Sequence, residues 1–213
     1  MALFITFEGT DGSGKTTQLR RLIARLRAEG RTVLETVEPG GTRIGQRIRE
    51  ILLDPANQEL HRTTELLLYF ASRAQNVHEW ILPALARDEV VVCDRFTDST
   101  LVYQGAGRGF GPDLVGALHQ VACGNLQPDV TIYLDIDLET GLERARAGRE
   151  RLDRMDDQSL EFHRRVRSAY LELAAANPGR FRVVDASPDA DTVEKSIWNV
   201  IRAELDAELA NVR

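Results

Sequence analysis

A chain of 213 residues with 43% hydrophobic and 28% charged side chains is long enough for one domain with a sizeable core. Its net charge of −6 argues against a general polyanion-binding surface, and so against nucleic acid as a partner. No apolar run reaches membrane-spanning length, and Cys93 and Cys123 have the spacing of neither a disulfide framework nor a metal site, so the cytoplasm is the expected compartment.

The first element is an apolar strand over residues 4–7, after Leu3, and it runs into a glycine-rich turn. Gly9, Thr10, Asp11, Gly12, Ser13, Gly14, Lys15 and Thr16 match the phosphate-binding pattern G-x-x-x-x-G-K-[ST] at every fixed position, with Thr17 next. The glycines let successive N–H groups turn towards phosphate oxygens, and the helix that begins near Lys15 adds the positive end of its dipole. Lys15 supplies a mobile cation and Thr16 a hydroxyl suited to Mg²⁺. Lysine occurs only at Lys15 and Lys195, so one of the two lies in this loop. The motif predicts a nucleotide site but no particular reaction, because ATPases, GTPases and small-molecule kinases all use it.

Leu19, Leu22, Ile23 and Leu26 mark one face of the first helix, which is expected to stop at Gly30. A short strand over 31–37 is broken by Glu38-Pro39-Gly40-Gly41, and a second helix follows over 42–53. Residues 60–82 read as mostly helical and apolar on several sides, hence buried between elements or in a subunit contact. A strand over 89–93 leads into a loop dense in functional residue types. A helix is expected over 113–122, a strand over 130–135 and another helix opening at 137–140. Phe162, Val166, Ala169 and Leu173 stripe a further helix, 181–185 is the last strand, and Val193, Ile197, Ile201 and Leu205 define the final helix. Strands alternating with helices predict a three-layer α/β fold, a parallel sheet of about five strands in a single domain. Ligands of such sheets gather at the carboxyl ends of the strands, where the phosphate loop, Glu38-Pro39 and Asp94-Arg95 all fall.

Asp94 closes an apolar strand where a carboxylate can hold Mg²⁺ beside the phosphate loop, and Arg95 can grip a second phosphate in a bidentate fork. The plain alternative is a surface ion pair. Arg144, Arg146, Arg149, Arg151 and Arg154 are interleaved with acids and read either as a solvated helix or as a mobile lid around 144–156, with Gly148 interrupting the helical pattern. Phe70 and Arg73 share a helical face, which in an anonymous helix means a core aromatic beside a solvated arginine. Thr100, Tyr103 and Gln104 are ordinary when read alone.

Together these stretches resemble one family, the bacterial thymidylate kinases. The similarity rests on FEGTDGSGKTT (7–17), EPGGT (38–42), the FASRAQ run (70–75), DRFTDSTLVYQGAGRG (94–109), RERLDRMD (149–156) and YLELA (170–174). The resemblance implies a P-loop nucleoside monophosphate kinase fold, transfer of phosphate from ATP to dTMP for dTTP synthesis, Mg²⁺ as cofactor and a homodimer. It implies that Asp11 lies near the sugar 3′-hydroxyl, Phe70 stacks on thymine, and Arg73 reaches a base carbonyl. It further implies that Arg95, with Arg49, holds the dTMP phosphate, and that Thr100 and Gln104 face the base edge. Tyr103 would fill the space of a ribose 2′-hydroxyl, and Glu38-Pro39 would form a tight, cis turn at the site. Lys15, Arg95 and the lid residues Arg149 and Arg151 would do the catalytic work, with Arg146 and Arg154 in the same lid and Mg²⁺ at Thr16 and Asp94. Two departures stand out: Gly12 follows Asp11 where some members carry a basic residue, and Val37 replaces an arginine common before Glu-Pro. Rival readings are a kinase for another deoxynucleoside monophosphate, a GTPase-type switch and a silent nucleotide-binding protein. The switch lacks its N/T-K-x-D motif, since Lys195 sits in Val193-Glu194-Lys195-Ser196.

Overall fold

The five apolar runs become five parallel strands: β1 (Leu3–Gly9), β2 (Val33–Val37), β3 (Val90–Asp94), β4 (Val130–Asp135) and β5 (Phe181–Asp185). The computed structural model describes residues 2–148, 154 and 159–211, without the side chains of 146–148 and 208–211. The strands lie in the order β2-β3-β1-β4-β5. Every residue of β1 is buried, as in a strand covered on both faces, whereas the edge strands β2 and β5 alternate between buried and accessible.

Alternation along β1 divides the core. Leu3, Ile5 and Phe7 point to one side, where they pack with Leu19, Leu22 and Leu26 of α1 (Lys15–Ala28). Val193, Ile197 and Ile201 of α9 (Ala190–Asn211) complete that layer. Phe4 points to the other side, against Leu66 and Phe70 of α3 (Arg62–Asn76) and Val115 of α6 (Pro112–Cys123). A third cluster joins Tyr133 to Phe162, Val166 and Tyr170 of α8 (Leu160–Ala176). β1 lies between β3 and β4, which are reached by connections on opposite sides, so a crevice opens at its carboxyl end.

Four local differences from the sequence reading have clear causes. β2 begins at Val33, not at residue 31. The long helix over 60–82 is α3, then a single wide π-helical turn (Val77–Ile81), then α4 (Leu82–Ala86); the widened turn comes immediately before Pro83, whose ring and missing N–H an unbroken α-helix takes poorly. The segment after Asp94 is helical, not a loop: α5 (Thr97–Thr100) continues into a π-helical run, Leu101–Gly107. Its threonines, serine and glycines disguise it, since they favour turns where packing does not decide. Gly148 itself is helical within α7 (Leu138–Gly148), and residues 149–153 lie outside the described ones. Asp137 Oδ2 accepts the amide hydrogens of Glu139 and Thr140 and so starts α7. The remaining helix, α2 (Arg43–Leu53), is capped by the Thr42 hydroxyl, which accepts from the Gly45 amide.

Candidate active site

The crevice at the end of β1 holds a cavity of ≈ 350 Å³, lined by the phosphate loop, the end of β2, α3, and the chain from Asp94 to Gln104. Asp11, Gly12, Gly14, Lys15, Thr16 and Thr17 form one wall, and Arg49, Arg73, Thr100, Tyr103 and Gln104 stand on others.

Gly9, Gly12 and Gly14 take φ of +147°, +75° and +85°, values that suit residues without a Cβ. Gly14 caps α1 in the left-handed conformation. At Gly12 space matters as much as φ, because a Cβ there would lie 1.8 Å from the Gly141 carbonyl oxygen. The tip of the loop therefore rests directly on the backbone of the first turns of α7. A basic side chain at position 12, as some relatives of the resembled family carry, has no room in this arrangement. Lys15 is buried and turns back on its own loop, donating to the Gly9 carbonyl at 2.9 Å and the Thr10 carbonyl at 3.0 Å. Burial and then the charge of Arg95 push its pKa down to about 8.

Arg95 is one of two non-glycine residues with positive φ among the described residues, at +69°. For an arginine this is a strained conformation, held by its surroundings. Its amide donates to the Phe7 carbonyl at 2.9 Å, and its guanidinium crosses the Tyr103 ring at 5.1 Å. The guanidinium also reaches the Ser99 hydroxyl at 3.2 Å, the Tyr170 hydroxyl at 3.5 Å and the Asp11 carboxylate at 3.6 Å.

Behind Arg95 lies Glu8, fully buried at the end of β1. It accepts from the Phe96 amide at 2.8 Å, the Ser99 hydroxyl at 2.6 Å and the Tyr170 hydroxyl at 2.7 Å. Burial first, and Asp98 second, raise its pKa to about 7 against the opposing charge of Arg95. Glu8 was not among the residues singled out from the sequence. An acid inside an otherwise apolar strand was the signal that could have found it.

On the opposite wall Arg73 is buried, not solvated as an anonymous helix suggested. It pairs with the buried Glu38 at 2.5 Å, donates to the Phe96 carbonyl at 3.1 Å, and stacks over Phe70 at 5.0 Å. Burial raises the Glu38 pKa, and Arg73 and the Asn76 amide at 3.1 Å act against that rise. The Glu38-Pro39 bond is cis, and Arg49 donates to the Pro39 carbonyl at 2.7 Å. Glu38 thus serves chiefly to hold Arg73. The Phe70 ring sits in the apolar layer beneath Arg73 and does not line the cavity, whereas its neighbour Tyr69 does.

Four buried polar atoms of the cavity residues have no hydrogen-bond partner among the described residues: Arg73 Nη1, Asp94 Oδ1, Thr100 Oγ1 and the Tyr103 hydroxyl. Buried polar atoms of this kind are normally satisfied, so they are candidates for a ligand's polar groups. The Arg95 guanidinium lies over the Tyr103 ring at 5.1 Å.

Of the proposed lid arginines, Arg149 and Arg151 lie outside the described residues, as does the Arg146 side chain. Arg154 is buried away from the cavity lining, with its guanidinium on the Glu65 carboxylate at 2.6 Å and the Leu52 carbonyl at 2.9 Å. It ties this point of the expected lid segment to α2 and α3. Arg144 does line the cavity and donates to the Ala186 and Ser187 carbonyls at 2.8 and 2.9 Å.

Residues 7–197 match the family model described as "Thymidylate kinase". The chain belongs to the thymidylate kinase family. It is 53% identical over 206 residues to a thymidylate kinase of Pseudomonas syringae pv. syringae, spanning 97% of this chain and 98% of that one. It is 50% identical over 202 residues to the thymidylate kinase of Pelobacter propionicus, with 92% of each chain covered. The crystal structure of thymidylate kinase from Ehrlichia chaffeensis superposes with a TM-score of 0.76 at 34% identity, covering 94% of this chain and 98% of that one. The fold is therefore that of a P-loop nucleoside monophosphate kinase, and the phosphate loop, cis turn and Asp94-Arg95 pair of this thymidylate kinase family member meet in one cavity.

Proposed function

We propose that the protein transfers the γ-phosphoryl group of ATP to the phosphate of dTMP, giving ADP and dTDP. The single observation that carries this reading is the two-ended cavity. A phosphate loop with its lysine forms one end, and buried, unpartnered polar atoms of Arg73 and Thr100 stand on the walls away from it. An oxygen of the dTMP phosphate attacks the γ-phosphorus, and the bond to the β,γ-bridging oxygen breaks. The acceptor is already anionic, so the reaction needs positioning and charge neutralisation more than a strong base.

Lys15 exchanges the Gly9 and Thr10 carbonyls for the outer phosphates of ATP. Arg95 binds the acceptor phosphate, supported by the strained backbone that aims it and by Ser99 and Tyr170 behind it. Arg49 borders the same cavity and assists. Asp11, beside Arg95, takes the sugar 3′-hydroxyl, and Tyr103 occupies the place of a 2′-hydroxyl. Thr100 and Gln104 address the base edge and Arg73 Nη1 a base carbonyl. Stacking of thymine on Phe70 draws no support from the cavity lining; Tyr69 and Tyr103 are the aromatic residues that border it.

Mg²⁺ fits the Thr16 hydroxyl and Asp94, whose Oδ1 is buried at the cavity without a partner. When bound, the ion would supply positive charge to neutralise phosphate oxygens in the site. A lid over 144–156 brings Arg149 and Arg151, with Arg146, to the transferred phosphate. The contact of α7 with Gly12 and the position of Arg144 at the cavity favour that direction of approach. Supply of dTDP for dTTP synthesis, a cytoplasmic location and a homodimer complete the proposal. Exposed Ile51, Leu67 and Val121, on α2, α3 and α6, suit helix-to-helix association.

The test is ADP release against a panel of nucleoside monophosphates. dTMP-selective turnover is expected. Turnover without an acceptor, or selectivity for another monophosphate, overturns the reading.

A further inference from the structure

Glu65 sits in α3, one turn before Tyr69, and is buried although no motif claims it. Its carboxylate is met by hydrogen-bond donors from three directions. Gln104 Nε2 reaches Oε1 at 2.9 Å, Arg154 Nη2 reaches Oε2 at 2.6 Å, and Arg108 approaches both oxygens at 3.3 and 3.4 Å. Burial would neutralise the acid, but these bonds and charges hold its pKa below the usual carboxylate range. It therefore stays an acceptor on both oxygens.

That fact decides the orientation of Gln104. Only the amide NH₂ can face an ionised carboxylate; the flipped amide would set its carbonyl oxygen, an acceptor, against an anionic oxygen that also only accepts. With Nε2 donating one hydrogen to Glu65, Oε1 is the acceptor that Gln104 can present to the cavity it lines. Arg73 Nη1, buried and unpartnered at the same cavity, offers a donor. An acceptor and a donor together match a pyrimidine with a ring N–H beside a carbonyl, the edge of thymine and uracil. They mismatch cytosine, whose ring nitrogen accepts and whose exocyclic amine donates.

We infer that Glu65 is a specificity-determining positioning residue, which fixes the Gln104 amide so that the site selects an imide-bearing base over an aminopyrimidine. The inference rests on the reading of the cavity as the dTMP site. A buried hydrogen-bonding mismatch is the kind that discriminates strongly, because each wrong partner leaves two groups unsatisfied.

The experiment measures kcat/KM for dTMP, dUMP and dCMP in the wild type and in Glu65→Gln. A glutamine carries one acceptor and one donor and can pair with Gln104 in either orientation, so it frees the amide. The dTMP over dCMP ratio is expected to fall at least tenfold, while the dTMP over dUMP ratio stays within about twofold, since those bases share the edge. Glu65→Gln also strips the counter-charge from buried Arg154, so the same substitution is repeated in an Arg154→Met background. There the tenfold fall should recur relative to Arg154→Met, which alone should keep the wild-type ratio. Combining Glu65→Gln with Gln104→Ala should add no loss of discrimination beyond Gln104→Ala. An unchanged dTMP over dCMP ratio in both backgrounds overturns the role of Glu65 and leaves the dTMP assignment standing. An equal fall in Arg154→Met alone also overturns it, because packing and not amide orientation would then set selectivity. A wild-type enzyme that does not prefer dTMP overturns both.

Discussion

Replacing Glu8 with glutamine should remove a large part of the protein's loss of stability between acid and neutral pH. The folded-state pKa is about 7 against an ordinary 4.5. Between those values the folded protein holds a proton that the unfolded chain has released, so stability falls as pH rises through the window. Complete below pH 4.5, the contribution is lost by the time pH passes 7. A gap of this size corresponds to roughly 3 kcal/mol at about 1.4 kcal/mol per unit. Glutamine is neutral throughout and nearly isosteric. Its carbonyl oxygen can still accept from the Phe96 amide, and its NH₂ can donate to the Ser99 and Tyr170 hydroxyls, which can act as acceptors. The assay is urea unfolding of both proteins at pH 5, 6, 7 and 8, with midpoints and slopes fitted. At a slope of about 2 kcal/mol per molar urea, the wild type should lose about 1.2 M more of its midpoint between pH 5 and 8 than the variant does, since part of the loss precedes pH 5. Parallel pH dependences would refute the reasoning, since every other titrating group is common to both proteins.

Lys15→Ala and Arg95→Ala should each lower kcat by about 10²–10³ with native circular dichroism, because each removes a preorganised cation from the phosphates; near-normal turnover in either would sink its role. With a Lys15 pKa of about 8 in the free protein, kcat/KM for ATP should fall above that pH while kcat holds further, because bound phosphate raises the lysine's pKa. Gly12→Ala drives a Cβ to 1.8 Å from the Gly141 carbonyl oxygen at a φ of +75°, so weaker ATP binding by tenfold or more and a lower melting temperature are expected; an unchanged titration would show that α7 yields freely. Arg73→Ala leaves the Glu38 carboxylate buried without its cation and should destabilise the fold by about 3–5 kcal/mol. Adding Glu38→Gln should recover part of that in thermal unfolding, unless the pair is decorative.

Much of this was legible because chain order and chemistry agree. The strand–loop–helix context of Gly9 to Thr16, the run ending in Asp94-Arg95 and the striped helices all express short-range rules, and short-range rules act on contiguous residues. The five-strand parallel sheet followed from the alternation of strands and helices, and its order put the expected ends together. What escaped detection is long-range in sequence. Glu8 meets Tyr170 across 162 positions, and Glu65 meets Arg154 across 89. Neither partner predicts the other, since nothing local distinguishes a buried, fully bonded glutamate from a solvated one. The segment 97–107 failed for the opposite reason: its local composition speaks for a loop, and burial against α8 and α3 overrides it.

Three inner acids share a position relative to the residues that line the cavity. Glu8 fixes the turn that carries Arg95, Glu38 fixes Arg73, and Glu65 fixes Gln104. Each acid is buried and each of its dependants faces the cavity. A net-negative chain can thus present an anion-binding site, because its inner carboxylates aim cations and amides outward while their own charge is taken up by hydrogen bonds behind the wall. Motifs name the groups that touch a ligand; the groups that hold them there are legible only once the chain is folded, and in this protein they are what make Arg73, Arg95 and Gln104 point one way.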